Sequence, residues 1–206
     1  MKTVLAIVLS YLFGSIPWAL IIGKVFYHKD IRKEGSGNLG ASNAGRVLGK
    51  KVAVIVTVLD ALKAFFSMLL ASMLAPEAIL FAGLACCVGH CFPLFANFKG
   101  GKAVATSYGF FLGIVTLLTH QWFWQFLFPI LCFFLILYLT KMVSLSSICS
   151  LFMCFLASLI LYFQKAPNVT LAQCLSILVL WIFVTYRHKD NLKRIQQGTE
   201  NKIKWM

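Results

Sequence analysis

The stretch "TVLAIVLSYLFGSIPWALIIG", residues 3–23, is almost entirely apolar and carries no charged side chain. About 20 such residues in a helix are enough to cross the hydrocarbon core of a bilayer. The run follows Lys2, as in a secretory signal peptide, but it is too long, it lacks an A-x-A cleavage site, and further apolar segments come after it. The stretch therefore predicts a membrane-spanning helix.

Similar apolar segments recur to the end of the chain, which is 60% hydrophobic, against about 45–50% in soluble globular proteins. We expect an all-α integral membrane protein with about seven transmembrane helices in one polytopic domain, residues 1–206. The third and fourth segments are short, which leaves tilted, partly re-entrant or protein-buried helices open. The seven segments are Thr3–Phe26, Val52–Leu74, Ala78–Phe92, Ala103–Thr119, Trp122–Thr140, Met142–Phe163 and Leu171–Tyr186.

The net charge of +13 would suggest nucleic-acid binding in a polar protein. Here the basic residues lie between apolar runs, so we interpret them as topology signals and expect no nucleic-acid partner. They concentrate in residues 27–51, 93–102 and 187–204, whereas Lys2 and Lys165 fall on the opposite side. Cytoplasmic loops hold the excess of Lys and Arg, which predicts an N-terminus outside and a cytoplasmic C-terminus. The seven cysteines lie mostly in apolar runs without metal-binding spacing, which is typical of buried apolar side chains.

Three polar segments that contain glycine fall on the same predicted face of the membrane, which suggests one site built from three pieces. The first is "GSGNLGASNAGR", residues 35–46, whose glycines permit backbone conformations closed to other residues. Successive N–H groups could then surround an anion, and Arg46 adds a planar fork suited to phosphate. A flexible connector is the alternative. The candidate site residues of this segment are Gly35, Ser36, Gly37, Asn38, Gly40, Asn43 and Arg46.

The second segment, "GHCFPLFANFKGGKAVAT", residues 89–106, holds a compact basic turn before a predicted helix. A helix N-terminus attracts anions, but the spacing does not fit a Walker A loop. His90 precedes Pro93, and its role is open between structural and catalytic. The candidate binding residues are Lys99, Gly100, Gly101, Lys102 and Thr106.

The third segment, "RHKDNLKRIQQGTE", residues 187–200, follows the last apolar run. A continuing helix would bring His188, Asn191 and Arg194 near one face, and Gly198 could end that helix. A solvated basic tail is the alternative. Within the second apolar segment, Asp60 and Lys63 could either anchor the helix bundle or act in catalysis.

These three segments, in this order, resemble the signature motifs of the bacterial acyl-phosphate-dependent glycerol-3-phosphate acyltransferases, the PlsY family. The "DALK" of residues 60–63 is also similar to that family. The chain departs at two positions, because Ala64 and Ala103 stand where the family commonly has glycine. The turn after Lys102 therefore need not follow the family geometry.

The resemblance implies that an acyl phosphate donates its fatty acyl chain to the sn-1 hydroxyl of glycerol 3-phosphate. The products would be 1-acylglycerol 3-phosphate (lysophosphatidate) and phosphate, in the first step of phospholipid synthesis. It further implies that neither acyl-CoA nor acyl carrier protein is a donor, and that no metal or cofactor is needed. The expected location is the bacterial inner membrane with the active site on the cytoplasmic face, and the soluble enzyme that makes acyl phosphate is a possible partner.

Under this resemblance, the acyl-phosphate end is assigned to Ser36, Gly37, Asn38, Arg46, His188 and Asn191. Glycerol 3-phosphate is assigned to Lys99, Lys102, Thr106 and Arg194, with Glu200 orienting a basic partner. No histidine has an aspartate five residues later, so the H-x-x-x-x-D base of soluble-type acyltransferases is missing. We expect the phosphate of the donor to take the proton, with His188 as the alternative. A transporter for a phosphorylated solute and a non-enzymatic membrane adaptor are the competing functions.

Overall fold

The computed structural model describes residues 1–203, and Lys204, counted above in the basic tail, lies outside them. Helices make up the fold of this part, which contains no strand. Short 3₁₀ turns cover Pro76–Ala78 and Leu94–Ala96, and π turns cover Val115–Thr119 and Phe123–Leu127. The α-helices are α1 (Lys2–Gly14), α2 (Trp18–Tyr27), α3 (Ala41–Leu48), α4 (Lys50–Leu74), α5 (Ile79–Cys91), α6 (Val104–Ile114), α7 (Phe128–Thr140), α8 (Val143–Phe163), α9 (Leu171–Arg187) and α10 (Lys189–Gln196).

All seven predicted apolar segments are helical, but seven spans are not confirmed. Five helical stretches within residues 1–203 are long and apolar enough to cross a membrane, and the bent pair α9–α10 would make a sixth. Val104–Thr119 is a shorter apolar helix. The orientation of the termini stays a prediction. The five stretches are Lys2–Tyr27, Lys50–Leu74, Pro76–Ala96, Phe123–Thr140 and Val143–Phe163.

The chain divides into two compact units, Met1–Gly113 and Ile114–Met206, so that the single domain expected from the sequence stays a prediction. In the first unit, α1 packs against α4 and α5. Small residues allow this approach, because a Cβ at Gly14 would overlap the backbone of Cys86. Gly109 and Gly113 let α6 approach α4 in the same way, because a Cβ at these positions would overlap Ala61 and Met68.

The first polar segment of the sequence is only half a loop, because its second half forms α3. An apolar cluster lies beneath this loop and helix, with Ile31 and Ala44 fully buried and Leu39 almost so. The cluster continues onto α2 and α4. Burial of these side chains fixes the loop at the end of the helix bundle, where it can hold polar side chains in defined positions.

In the second unit, α8 packs against α7 and α9. A chain of buried polar groups joins the π turns to α8, since Gln125 accepts from Thr119 at 2.6 Å and donates to Ser158 at 2.9 Å. Between α9 and α10 the helix axis bends by 61° at His188. The residues after α10 return to the start of α8, where the Ile203 N–H donates to the carbonyl of Lys141.

Candidate active site

Asn43 organises the loop of the first segment from below. Its side chain is almost fully buried, and its Nδ2 donates to the carbonyls of Ile31 at 3.0 Å and Glu34 at 3.2 Å. Its Oδ1 accepts from the Ser36 N–H at 2.8 Å. Because these three bonds engage both ends of the amide, the structure places Asn43 as a scaffold for the loop and not as a direct ligand.

The glycines of this loop have two different roles. Gly35 and Gly37 have φ of +60° and +69°, the left-handed region that the sequence predicted. Gly40 was expected to share this freedom, but its φ of −95° is open to any residue. It is the N-cap of α3, and its N–H donates to Asn38 Oδ1 at 2.9 Å.

The first and second segments meet through Asn38. Its Nδ2 donates to the carbonyl of Gly100 at 3.3 Å, across 62 residues of sequence. This bond ties the loop before α3 to the basic turn before α6. The prediction that these two segments share one site therefore has a direct contact behind it within the first unit.

The basic turn doubles back over the end of α5. The N–H groups of Gly100 and Gly101 donate to the carbonyls of Cys91 at 3.2 Å and His90 at 3.1 Å. A Cβ at either glycine would overlap the end of α5, so close approach, and not an unusual φ, requires glycine at both positions. The expected cradle of backbone N–H groups is not formed by these two residues, because their N–H groups are already paired.

The same is true in the first loop, where the N–H groups of Ser36, Gly37 and Gly40 bond to groups within that loop. These five N–H groups are therefore not offered to an anion between the two segments, whereas exposed side chains are. Ser36, Arg46 and Lys99 are exposed there, and Lys102 is half-buried. Arg46 and Lys99 have no hydrogen bond or ion pair from their side chains to the rest of residues 1–203.

Two other cations of the first loop are already paired with acidic residues. Arg32 contacts Asp30 at 2.6 Å, and Lys29 lies 3.5 Å from Glu34. The Arg32 guanidinium holds the pKa of Asp30 well below its ordinary value. The positive charge of Arg46 and Lys99 is thus left for a ligand.

Ala103 follows the basic turn with φ of +58° and is fully buried. An L-residue with a Cβ is strained in this region, which gives a physical reason for the glycine that the family commonly has here. Thr106, on the first turn of α6, is also fully buried. Its Oγ1 has no hydrogen-bond partner among the residues that the structure describes.

In the second unit, Glu200 is the centre of the third segment. Its Oε1 accepts from Asn191 Nδ2 at 2.6 Å and from Ser144 Oγ at 2.7 Å, and its Oε2 accepts from Arg194 Nε at 2.8 Å. Burial raises the pKa of the Glu200 carboxyl, but the three hydrogen bonds outweigh it and hold the pKa below its ordinary value. Glu200 thus orients Arg194, as expected, and Asn191 as well.

The helix bends at His188 instead of continuing straight, and α10 then carries Asn191 and Arg194, with His188 as its N-cap. His188 is buried, and its Nδ1 lies 2.8 Å from the carbonyl of Val184. A carbonyl only accepts hydrogen bonds, so Nδ1 carries the proton. In the neutral ring, Nε2 then holds the lone pair that a general base would need.

Two groups that the structure adds were not among the predicted site residues. Ser144 has no signal in the sequence, since a serine at the start of an apolar helix is common. His90 joins Asp60 and Lys63, with its Nδ1 2.8 Å from Lys63 Nζ. The sequence analysis named all three residues, but their separation in the chain did not indicate that they are in contact.

A model of the glycerol-3-phosphate acyltransferase family matches residues 4–198 of the chain. Glycerol-3-phosphate acyltransferase 2 of Bacillus anthracis is 46% identical over 201 residues, covering 97% of this chain and 98% of the relative. Glycerol-3-phosphate acyltransferase of Bacillus velezensis is 45% identical over 206 residues, covering 100% of both.

The fold is similar to that of PlsY, an integral membrane glycerol 3-phosphate acyltransferase. Its crystal structure in the glycerol 3-phosphate form matches with a TM-score of 0.85 at 33% identity, covering 99% of this chain and 96% of that one. The lysophosphatidic acid form matches with a TM-score of 0.83 at 32% identity.

Proposed function

The chain belongs to the glycerol-3-phosphate acyltransferase family, and from this membership we propose how it acts and with which substrates. It is an integral membrane acyltransferase of phospholipid synthesis. Its acceptor is glycerol 3-phosphate, acylated at the sn-1 hydroxyl, and its donor is a fatty acyl phosphate. The products are 1-acylglycerol 3-phosphate and inorganic phosphate.

The observation that carries the proposal is the contact between Asn38 and Gly100. It joins two polar segments that each carry an exposed cation, Arg46 or Lys99, whose side chain has no partner among residues 1–203. The donor and the acceptor both carry phosphate and repel each other. Arg46 on α3 and Lys99 on the basic turn offer positive charge to offset that repulsion.

The chemistry needs little more than this placement. The acceptor hydroxyl oxygen attacks the carbonyl carbon of the acyl phosphate, a carbon–oxygen ester bond forms, and the bond from that carbon to the phosphate oxygen breaks. Because an acyl phosphate is a mixed anhydride with a good leaving group, no covalent enzyme nucleophile is required. Holding the hydroxyl near the carbonyl supplies much of the rate gain.

The hydroxyl proton must leave as the ester forms. We assign it to the phosphate of the donor, which departs as inorganic phosphate carrying that proton. His188 is the alternative base, since its Nδ1 is occupied by Val184 and its Nε2 would accept. Replacement of His188 by Asn that leaves turnover and the pH profile unchanged would eliminate this alternative.

The third segment, in the second unit, is assigned to the same reaction on the strength of the family motif that it resembles. Asn191 and His188 serve the acyl-phosphate end in this assignment, with Arg194 on the acceptor side. The active site faces the cytoplasm, where a soluble enzyme supplies acyl phosphate. These assignments stay predictions, as does the meeting of all three segments.

Phosphate release from purified protein in detergent tests the proposal. Acyl phosphate, acyl-CoA and acyl carrier protein donors are compared in parallel, each with glycerol 3-phosphate. Release from acyl phosphate, dependent on the acceptor and without a membrane gradient, supports an acyltransferase and excludes a transporter. Product formation from acyl-CoA alone would refute the donor assignment.

A matched pair of variants tests the site. Arg46→Ala removes an exposed cation that faces no acidic residue, and we expect at least a tenfold loss of kcat/KM, about the value of one charge-assisted hydrogen bond. Lys33→Ala removes an exposed cation from the same loop and serves as the control. Equal activity of both variants would contradict the role of Arg46.

A further inference from the structure

Three ionisable side chains meet between the apolar helices α4 and α5 of the first unit. Lys63 Nζ lies 2.9 Å from Asp60 Oδ1, and His90 Nδ1 lies 2.8 Å from Lys63 Nζ and 3.4 Å from Asp60 Oδ1. Lys63 and Asp60 are 1% and 2% exposed, and His90 is 7% exposed. Burying such charges is costly unless each is paired and hydrogen-bonded.

The Lys63 ammonium has three acceptors around it, which match its three N–H donors. They are the carboxylate of Asp60, the ring nitrogen Nδ1 of His90, and the carbonyl of Ile16 at 3.3 Å. An ammonium can only donate, so Nδ1 of His90 must accept. The ring proton of neutral His90 is then on Nε2, and the ring orientation is fixed from the Nδ1 side.

The opposite edge of the imidazole faces the basic turn. A Cβ at Gly101 would overlap Nε2 of His90, so the turn lies directly against the ring. The backbone reinforces this contact, because the Gly101 N–H donates to the His90 carbonyl at 3.1 Å. The position of the turn is therefore set by a ring that Lys63 and Asp60 hold in place.

We infer that Asp60, Lys63 and His90 form a positioning network for the turn Lys99–Lys102. The network does not contact substrate, and it acts by fixing the backbone from which Lys99 and Lys102 reach the phosphate of the acceptor. This inference rests on the proposed function for its ligand, glycerol 3-phosphate. It assigns a role to a buried ion pair that would otherwise only anchor helices.

The two roles differ in what they change. If the network only anchored α4 and α5, its loss would lower stability and affect both substrates alike. If it positions the turn, its loss weakens the acceptor selectively. A wrongly placed turn would raise the KM for glycerol 3-phosphate and leave the KM for acyl phosphate near its wild-type value.

The test is His90→Ala, with Ser67→Ala as the control. Ser67 is 1% exposed and lies on α4 one turn beyond Lys63. For His90→Ala we expect the Kd of glycerol 3-phosphate, measured by titration calorimetry without a donor, to rise about tenfold, as for one weakened charge-assisted hydrogen bond. We expect the KM for acyl phosphate and the Kd of the Ser67 control to stay unchanged.

A second pair of variants removes the dependence on one substitution. Gly101→Ala places a methyl group against the ring of His90 and should also weaken acceptor binding. In His90→Ala/Gly101→Ala that methyl enters the space of the lost ring, so the double variant should bind better than Gly101→Ala alone. If His90→Ala does not fold, Gly101→Ala alone tests the inference. It should raise the Kd of glycerol 3-phosphate and leave the KM for acyl phosphate unchanged.

Two results overturn the inference. One is an unchanged Kd for glycerol 3-phosphate in variants that are folded. The other is a parallel loss for both substrates that tracks the loss of thermal stability. The titration uses no donor, so it remains valid if the donor in the proposed function is wrong. Wild-type protein that binds no glycerol 3-phosphate would overturn both this inference and the proposed function.

Discussion

Removal of the Glu200 side chain tests how the second unit holds its candidate catalytic residues. Glu200 is 5% exposed in its side chain and accepts from Asn191, Ser144 and Arg194. In Glu200→Ala all three donors lose their acceptor. In Glu200→Gln the amide oxygen can stand at the position of Oε1 and keep the bonds to Asn191 and Ser144.

The expected destabilisation follows from the burial of the three donors. Asn191 and Ser144 are 8% and 4% exposed, and each buried donor left unpaired costs about 1–3 kcal/mol. Arg194 is 37% exposed, so it can turn to water at a cost of about 0–1 kcal/mol. We therefore expect Glu200→Ala to lower the free energy of unfolding by about 2–7 kcal/mol. Glu200→Gln should lower it by about 1 kcal/mol.

Thermal unfolding in detergent, followed by tryptophan fluorescence, measures the order of these variants. Glu34→Gln is the control, because Glu34 forms an exposed ion pair with Lys29 at 3.5 Å, and such pairs contribute about 0–1 kcal/mol. The wild type should have the highest Tm and Glu200→Ala the lowest. The single variants Glu34→Gln and Glu200→Gln should have similar Tm values between these two. Turnover at a temperature where all four are folded should fall for Glu200→Ala, because Asn191 is no longer oriented.

A Glu200→Ala variant as stable as Glu34→Gln would refute this reasoning. So would a triple variant Glu200→Ala/Asn191→Ala/Arg194→Ala with much lower turnover than Asn191→Ala/Arg194→Ala. If Glu200 acts through Asn191 and Arg194, its removal adds little once both are gone.

Three further predictions concern pH, the strained alanine and the loop scaffold. The pKa of Glu200 is lowered from an ordinary value of 4.5, so the Tm difference between wild type and Glu200→Gln should be constant above pH 4.5 and should shrink as the pH falls through the lowered pKa. At Ala103, Gly should keep the free energy of unfolding within about 1 kcal/mol, since relief of strain offsets the lost methyl group and the added chain entropy, whereas Val should lower both Tm and phosphate release because a β-branched residue is an outlier at positive φ. Asn43→Asp should reduce the rate of phosphate release as much as Asn43→Ala, because a carboxylate oxygen would face two carbonyl oxygens, whereas Asn97→Asp on the exposed turn should not.

Much of the helical framework could be predicted from the sequence, because lipid imposes a simple rule. Every backbone group in the hydrocarbon core must be paired within its own segment, so long apolar runs become helices. The interruptions were harder to predict. The break after Gly14 has a visible cause in Pro17, which has no N–H to donate. The bend at His188 has no proline or glycine, and no residue near it predicts the end of α9.

The candidate site could be predicted in composition but not in the use of its groups. Glycine at Gly35, Gly100 and Gly101 indicated a special backbone, yet two of these glycines serve close packing and only one serves a positive φ. The partner of an N–H group depends on contacts far apart in the chain, such as His90 with Gly101. Local sequence carries no signal of such contacts.

The same limit explains why the sequence predicted Asn43 as a candidate binding residue and could not name the partners of Glu200. An amide or carboxylate in a polar motif is equally suited to bind substrate or to hold the residues that do, and the difference is burial. Asn43 is 1% exposed with both ends of its amide bonded, and Glu200 accepts three hydrogen bonds. Arg46 and Lys99 are exposed instead and have no such partners among the described residues. In the proposed function the charge of Arg46 and Lys99 offsets the repulsion between two phosphates, and within the first unit Asn43 keeps the loop before α3 in place.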